Sequence, residues 1–445
     1  MASLRTKKLT LSGWGRYPQA ETLAFRPERR PDLAACLPGL DGNLIARGAG
    51  RSYGDQALNG GGTTILTERL DRMISFDPET GRLVTEPGVT FATLLDVFLP
   101  RGYLTPVSPG TSYATLGGAI ANDVHGKNHD RMGSFSDHVA WVELLLPSGE
   151  TKRVSEHEDP ALFRATIGGA GLTGIITSLA VDLMRVPSNA VDLTERRVAD
   201  LDQFIALLAE ARANSTYSVG WIDALAKGRE LGRGILETAE LSATPIAAKP
   251  RRQIGIPVNF PRMALNSLSV RAFNQLYYSR VPAAGRQRHI GISEFLYPLD
   301  AVANWNRIYG KPGFSQFQCV LPDATAPAGL RKMLEAVSAA GAASFLAVLK
   351  TLGRQGKGML SFPMPGFTLA LDFPRRRGTE ALLAELERLT LEAGGRIYLA
   401  KDSALSAEGM AAMYPELSAF RMVLSEIDPD RQIGSDQARR LRLRT

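Results

Sequence analysis

Along the first 190 residues the chain alternates short apolar runs with turn residues, the rhythm of short strands broken by loops. Residues 43–47 read as a buried strand that runs into the turn Gly48-Ala49-Gly50-Arg51-Ser52-Tyr53-Gly54-Asp55, with loop continuing to residue 63. Residues 64–67, 73–77 and 83–86 read as three more short strands, and 91–99 carries helical spacing after Pro87-Gly88. A second glycine-rich stretch runs from Pro109-Gly110-Thr111 through Gly117-Gly118-Ala119 into Asn122-Asp123-Val124-His125-Gly126-Lys127-Asn128-His129. A third, Gly168-Gly169-Ala170-Gly171-Leu172-Thr173-Gly174-Ile175-Ile176, precedes another strand. Beyond residue 189 glycine thins out, and longer helical runs at 201–213 and 329–339 alternate with strands at 314–321, 344–349 and 368–373. Near the end, 396–400 reads as a strand and 407–414 as a short helix. Residues 243–268, rich in Pro, Arg and Asn without periodicity, read as a long mobile loop. The pattern is α+β with a domain boundary near residue 189.

Composition narrows the field. At 445 residues the chain can bury two or three domain cores, and 44% hydrophobic with 22% charged residues excludes a disordered polymer or a multi-span membrane protein. Two cysteines, Cys36 and Cys319, exclude a disulfide scaffold and a four-thiolate zinc site and are compatible with a reducing compartment. A net charge of +7 favours an anionic partner: a nucleic acid, a membrane surface or a phosphorylated substrate. No apolar run is long enough for a signal-peptide core or a membrane span, which leads to the expectation of a cytoplasmic protein. Three basic clusters stand out: Lys249, Arg251 and Arg252; residues 375–377; and Arg439, Arg440, Arg442 and Arg444. Each alone reads as a solvated face, and the last as a fraying tail.

The three glycine loops suggest one extended ligand. A dinucleotide fingerprint needs G-x-G-x-x-G entering a helix, whereas the spacing from Gly48 is G-x-G-x-x-x-G and leads into loop. A P-loop is absent. Small residues still let backbone N–H groups surround a pyrophosphate. His125 and His129 have the i, i+4 spacing of a zinc pair, but Gly126 and Asn128 argue against a continuous helix, so no metal is expected. No aromatic-interleaved basic motif or helix-turn-helix pattern supports nucleic-acid binding.

Ala46-Arg47-Gly48-Ala49-Gly50-Arg51-Ser52-Tyr53-Gly54-Asp55, the Pro109 to Ile120 stretch, His125-Gly126-Lys127-Asn128-His129 and Gly171-Leu172-Thr173-Gly174-Ile175-Ile176 resemble the FAD-binding domain of the vanillyl-alcohol-oxidase superfamily. The second half is similar to one branch of it, the oxidase subunits of decaprenylphosphoryl-β-D-ribose 2′-epimerase. The matching motifs are Trp305-Asn306-Arg307 with Tyr309-Gly310, Gln316-Phe317-Gln318, Ser361-Phe362-Pro363-Met364-Pro365-Gly366, Asp372-Phe373-Pro374 and Ala400-Lys401-Asp402-Ser403. The resemblance implies a two-domain α+β fold: an FAD-binding domain over 1–188, a central antiparallel-sheet substrate domain over 189–395, and a segment 396–445 returning to the first domain.

It also implies a site. Cofactor contacts fall on Ala46, Arg47, Gly48, Ala49, Gly50, Arg51, Ser52, Tyr53, Gly54, Asp55 and Gln56; on Gly110, Thr115, Leu116, Gly117 and Gly118; on Asn122, Asp123, Val124 and His125; and on Ile176 and Tyr398. Relatives with covalent flavin carry histidine where this chain has Arg51, so FAD is expected to be non-covalent. The implied reaction is oxidation of the 2′-hydroxyl of a polyprenylphosphoryl ribose to a ketone, and a partner short-chain reductase then completes the epimerisation. Lys401 matches the family lysine that meets the negative charge developing on the reduced flavin, while Tyr53 and His125 are the candidates to take the hydroxyl proton. Lys127 and Lys350 are implied at the substrate phosphate, and Trp221, Gln316 and Gln318 at the ribose. Mycobacterial members carry cysteine where this chain has Ala370. The basic clusters and the 243–268 loop suit an amphiphilic anionic substrate met at an anionic membrane surface. An oxidase of a soluble alditol or aldonolactone is the alternative.

Overall fold

The computed structural model describes residues 5–40, 43–247, 253–261, 263–341 and 345–444. The strand expected at 43–47 is Leu44–Arg47, paired in parallel with Thr63–Leu66. A parallel pair needs a long crossover, and here the first glycine loop supplies it. Thr63–Leu66 pairs in parallel with Gln19–Phe25, whose far edge takes Thr6–Ser12 antiparallel. A second, antiparallel sheet has the order Met73–Phe76, Arg82–Thr85, Ile175–Asp182, Val139–Leu145, Thr151–Val154. The other two glycine loops lie between its strands along the chain.

The third sheet has eight antiparallel strands: Arg286–Gly291, Ala190–Val198, Gly234–Leu241, Tyr217–Ile222, Ala347–Leu352, Gly366–Pro374, Phe314–Leu321 and Arg396–Ile397. Alternation along its central strands sorts two faces. Phe317, Cys319, Leu321, Leu349, Leu369 and Leu371 pack in one core with Phe204 and Leu208 of helix Leu201–Asn214, Met333 of helix Ala326–Ala340, and Leu383 and Leu386 of helix Thr379–Glu392. The opposite face carries Gln316, Gln318, Val348, Lys350 and Ala370, and it looks toward the glycine loops. Asp200 caps the first of these helices by accepting from Gln203 N, and Leu201, Phe204, Leu208 and Ala211 form its buried stripe.

Several expectations change. The helix expected at 329–339 starts three residues earlier, because Pro327 in the first turn forfeits no intrahelical bond, and it stops at Gly341 with φ +59. The strand expected at 344–349 is Ala347–Leu352, since its register is fixed by Gly366–Pro374; residue 344 lies outside the described residues. The strand expected at 396–400 ends at Ile397 and becomes a tight turn, Leu399–Lys401. The 243–268 loop contains paired backbone: Ile254–Gly255 runs parallel to Val302–Ala303, and Asn266 caps helix Ser267–Ser279 by accepting from Leu268 N and Ser269 N. Lys249, Arg251 and Arg252 lie outside the described residues.

The C-terminal arginines are not a fraying tail. Leu44 N donates to Gln432 O, so the last segment joins the edge of the first sheet, and Leu441 and Leu443 are fully buried. Arg440 forks onto Asp55, with Nε and Nη2 both at 2.8 Å, and Nη2 also donates to Asp402 at 2.7 Å. Arg444 pairs with the buried Asp428 at 2.8 Å. Apolar leucines alternating with the arginines give this segment a core to enter, and buried carboxylates await the charges.

Candidate functional site

A cavity of about 540 Å³ lies between the glycine loops and the polar face of the eight-stranded sheet. The first loop lines it with Ala46, Arg47, Gly48, Ala49, Gly50, Arg51, Ser52, Tyr53 and Gln56. The second contributes Gly110, Thr115, Gly117 and Gly118, followed by Asn122, Val124 and His125. The third contributes Gly171 and Gly174, with Ile176 beyond. Across from these stand Gln316, Gln318, Lys350, Tyr398 and Lys401. Residues scattered over more than 350 positions thus share one wall system.

The loops are held close by small residues. A Cβ on Gly48 would lie 2.3 Å from Thr115 Oγ1, and one on Gly54 would lie 1.9 Å from Asp402 O, so neither position has room for any other residue. Thr115 caps helix Leu116–Ala121 by accepting from Gly118 N. Tyr53 N donates to Ala400 O at 2.8 Å, which ties the first loop to the turn that carries Lys401.

Registered pairing builds the sheet side of the cavity. Gln318 lies opposite Ala370 and Ala370 opposite Val348, while Gln316 lies opposite Asp372 and Lys350 opposite Thr368. Asp372, buried at 1% exposure, accepts from Tyr309 Oη and Gln316 Nε2. Gln318 Nε2 reaches His125 Nε2 at 3.0 Å and donates to Thr368 Oγ1 at 3.1 Å. Lys401 Nζ lies 3.9 Å from the Tyr53 ring centroid, and Lys350 Nζ donates to Gly126 O at 3.1 Å.

Burial governs the electrostatics. It pushes the Lys350 ammonium down to about 7, helped by the like charges of Lys401 and Lys127. It pushes Lys401 down as well, against the opposing pull of Asp372. His125 is driven well below its usual range by burial, then by Lys350, His129 and Lys401, so its ring is neutral. Burial and Asp372 raise the Tyr53 phenol.

Among the described residues, five buried polar atoms on the cavity wall have no partner: Arg51 Nε, Gln56 Nε2, Asn122 Oδ1, His125 Nδ1 and Gln316 Oε1. Native interiors rarely leave such atoms unsatisfied, and both donors and acceptors are among them. A Cβ on Gly110 would meet nothing within 4 Å, so that backbone opens onto free space. Backbone-lined loops for a pyrophosphate and mixed donors and acceptors for a heteroaromatic ring fit FAD.

Six of the expected contacts do not line the cavity. Gly54 packs on Asp402, and Asp55 is engaged by Arg440. Leu116 is core, and Asp123 accepts from Ser136 and Ser361 behind the wall. Lys127 donates to Phe295 O and lies 4.1 Å from that ring's centroid. Trp221 shares the sheet row of Val348 but donates to Phe345 O at 2.9 Å and packs on Tyr277. Both Lys127 and Trp221 therefore spend their polar atoms on the protein.

Other residues of the site escape a reading of the sequence. Arg51 lies over Trp14 at 4.3 Å and Tyr113 at 5.0 Å. Asp300 accepts from Thr111 Oγ1, Ser112 N and Ser112 Oγ, each at 2.7 Å, and so pins the second glycine loop to the segment above the cavity. No local signal marks Trp14 or Asp300. Asp372 could have been found, because it lies two residues from Ala370 on the same strand face.

Ala370 lines the cavity, whereas both cysteines are buried elsewhere; burial pushes the Cys319 thiol up to about 12. Thiol-directed inhibitors are expected to leave the folded protein unmodified, and Ala370→Cys to gain one adduct. Intact-mass and peptide spectra after incubation check this, and a mass shift on the native peptide containing Ala370 would contradict it.

Residues 26–155 match an FAD-binding domain family. The chain is 37% identical to the decaprenylphosphoryl-β-D-ribose oxidase of Mycolicibacterium smegmatis, over 97% of each chain. It is 34% identical to an uncharacterised protein of Streptomyces coelicolor, over 80% of this chain and all of that one. A D-lactate dehydrogenase of Anaerostipes hadrus is 27% identical over 30% of this chain and 29% of its own length.

Proposed function

The chain belongs to the family of decaprenylphosphoryl-β-D-ribose oxidases, FAD-binding oxidoreductases, and we propose that it oxidises the 2′-hydroxyl of a polyprenylphosphoryl-β-D-ribose to the ketone. The observation that carries this reading is one cavity in which flavin-type glycine loops face a sheet wall bearing Gln316, Gln318, Lys350 and Lys401. FAD, when bound, supplies the two-electron acceptor. The likeness to the mycobacterial oxidase extends through the substrate-side sheet, whereas the likeness to the lactate dehydrogenase covers under a third of the chain. That difference favours the lipid-linked sugar over a soluble alditol or aldonolactone.

The chain's own groups divide the work. Backbone N–H groups of the first two glycine loops would hold the cofactor phosphates, without a covalent tether, because Arg51 occupies the position of a tethering histidine. Lys401, desolvated and fixed against Tyr53, supplies positive charge where reduction develops negative charge. Gln316 and Gln318, locked by Asp372, Thr368 and His125, orient the sugar hydroxyls. The product ketone calls for a reductase to deliver hydride to the opposite face, completing the epimerisation.

No helix among the described residues is long and apolar enough to cross a membrane. Ile254, Val258, Met263, Leu268 and Leu276 expose their side chains within one stretch. Gln253 and Val302, beside that stretch, line the cavity. Exposed apolar side chains beside the cavity support peripheral attachment to the membrane that carries a lipid-linked substrate, read as the anionic cytoplasmic face.

The test is the visible spectrum of the purified protein before and after anaerobic addition of a prenylphosphoryl ribose, followed by acid precipitation. Bleaching of a flavin that acid releases is the expected result. A flavin that stays oxidised with this sugar but bleaches with a soluble alditol would overturn the substrate assignment.

A further inference from the structure

Lys350 and Lys401 share the cavity wall, yet only Lys401 has a role in the chemistry so far. Lys350 stands on strand Ala347–Leu352 with its side chain on the polar face, and its Nζ is fixed by donation to Gly126 O at 3.1 Å. A neutral amine held this way keeps a lone pair free to accept a proton. Among the described residues no carboxylate forms an ion pair with it. Asp130, the acid whose charge reaches it, accepts from Thr351 Oγ1 and pairs with Arg212 at 3.2 Å. The other charged or titratable groups around it are Lys401, Lys127, His125 and His129, and not one of them is an anion.

The two candidates for proton abstraction singled out by sequence are placed differently. Gln318 Nε2 donates to Thr368 Oγ1 and points its second N–H at His125 Nε2, which therefore accepts. The proton of the neutral ring then sits on Nδ1, the nitrogen without a partner, and His125 offers a donor rather than a base. Tyr53 is buried and shares its surroundings with Asp372, both of which keep its phenol protonated.

We propose that Lys350 is the general base of the reaction, its neutral amine taking the proton of the hydroxyl being oxidised. The inference rests on the oxidase reading above. In the step, the O–H bond breaks and its proton passes to Lys350 Nζ, which becomes an ammonium. The adjacent C–H hydrogen leaves with its electron pair to the bound FAD, and the C=O bond forms; the alcohol is oxidised and the cofactor reduced. Burial and the neighbouring ammonium of Lys401 hold Lys350 near 7, so the free base is abundant at neutral pH, as a general base requires.

Two measurements on the holoenzyme test this. First, the pH dependence of Lys350 acetylation by acetic anhydride, read by peptide mass spectrometry, should rise through about pH 7, and should move upward in Lys401→Met once the like charge is gone. Titration in the ordinary lysine range would overturn the proposal without touching the substrate assignment. Second, Lys350→Ala should bind FAD as the wild type does but bleach on the order of 10²- to 10⁴-fold more slowly with a prenylphosphoryl ribose. Methylamine should restore the rate in proportion to its free-base concentration. Lys350→Met serves the same comparison if the alanine variant fails to fold. A raised KM with kcat unchanged, and no rescue by amine, would assign Lys350 to the phosphate instead. If the acetylation profile is as expected but the wild type does not bleach with this sugar, the substrate reading alone has failed.

Discussion

Lys401→Ala is expected to remain a yellow, FAD-loaded protein whose cofactor is reduced on the order of 10²- to 10³-fold more slowly, the usual cost of removing one preorganised electrostatic donor from a water-poor site. Three features make Lys401 such a donor. The turn Leu399–Lys401 is anchored by Tyr53 N donating to Ala400 O and by Lys401 N donating to Tyr398 O, so the side chain starts from a fixed backbone. Its Nζ sits over the Tyr53 ring. Burial lowers its proton affinity while Asp372 opposes the fall, so it remains the later of the two cavity lysines to lose its proton on raising the pH. The rate of bleaching should therefore rise with pH as Lys350 deprotonates and fall again, below the usual lysine range, as Lys401 does; for two interacting groups these limbs belong to the pair. Stopped-flow reduction of the variant at the wild-type rate would remove Lys401 from the chemistry.

Arg440→Ala is expected to destabilise the protein by about 3–5 kcal/mol, the range seen when one partner of a buried ion pair is removed. Asp55 and Asp402 have side chains only 7% and 3% exposed and face the same guanidinium. Without it both carboxylates stay buried, and burial together with the charge of Asp402 already raises Asp55. A group whose affinity for protons is raised by folding costs stability above its unfolded pKa, and protonation relieves that cost as pH falls. The loss in Arg440→Ala should accordingly be smaller at pH 5 than at pH 8, measured as the denaturation midpoint at fixed FAD concentration. A loss independent of pH would mean that packing, not charge, is what Arg440 contributes. The same residue bridges the first glycine loop, through Asp55, and the Lys401 turn, through Asp402, so FAD affinity should fall along with stability.

Local pattern carried much of the fold. Asp200 followed by Leu201, Phe204, Leu208 and Ala211 specifies a capped amphipathic helix without reference to anything outside it. The spacing Gly48 to Gly54 marks loops that must come close to other backbone, and Gly54 against Asp402 O is such an approach. Strand ends were less legible. The first residues of Ala347–Leu352 and the early end of Arg396–Ile397 depend on pairing partners distant in the chain, and a stretch of apolar residues does not say which register it will take.

The cofactor loops, the α+β class and the lysine motif around Lys401 were determined by sequence alone, because each depends on residue types at fixed local spacings. Only the tertiary structure decided which side chains meet. It turned Lys127 and Trp221 to protein carbonyls and left Lys350 in the cavity, tied the C-terminal Arg440 to two buried carboxylates, and placed Trp14 and Asp300 around a site to which no local pattern assigns them. The physical reason is that hydrogen bonds and ion pairs are satisfied in space, by partners 38 to 385 residues apart, whereas periodicity along a chain reports only which face a residue will take.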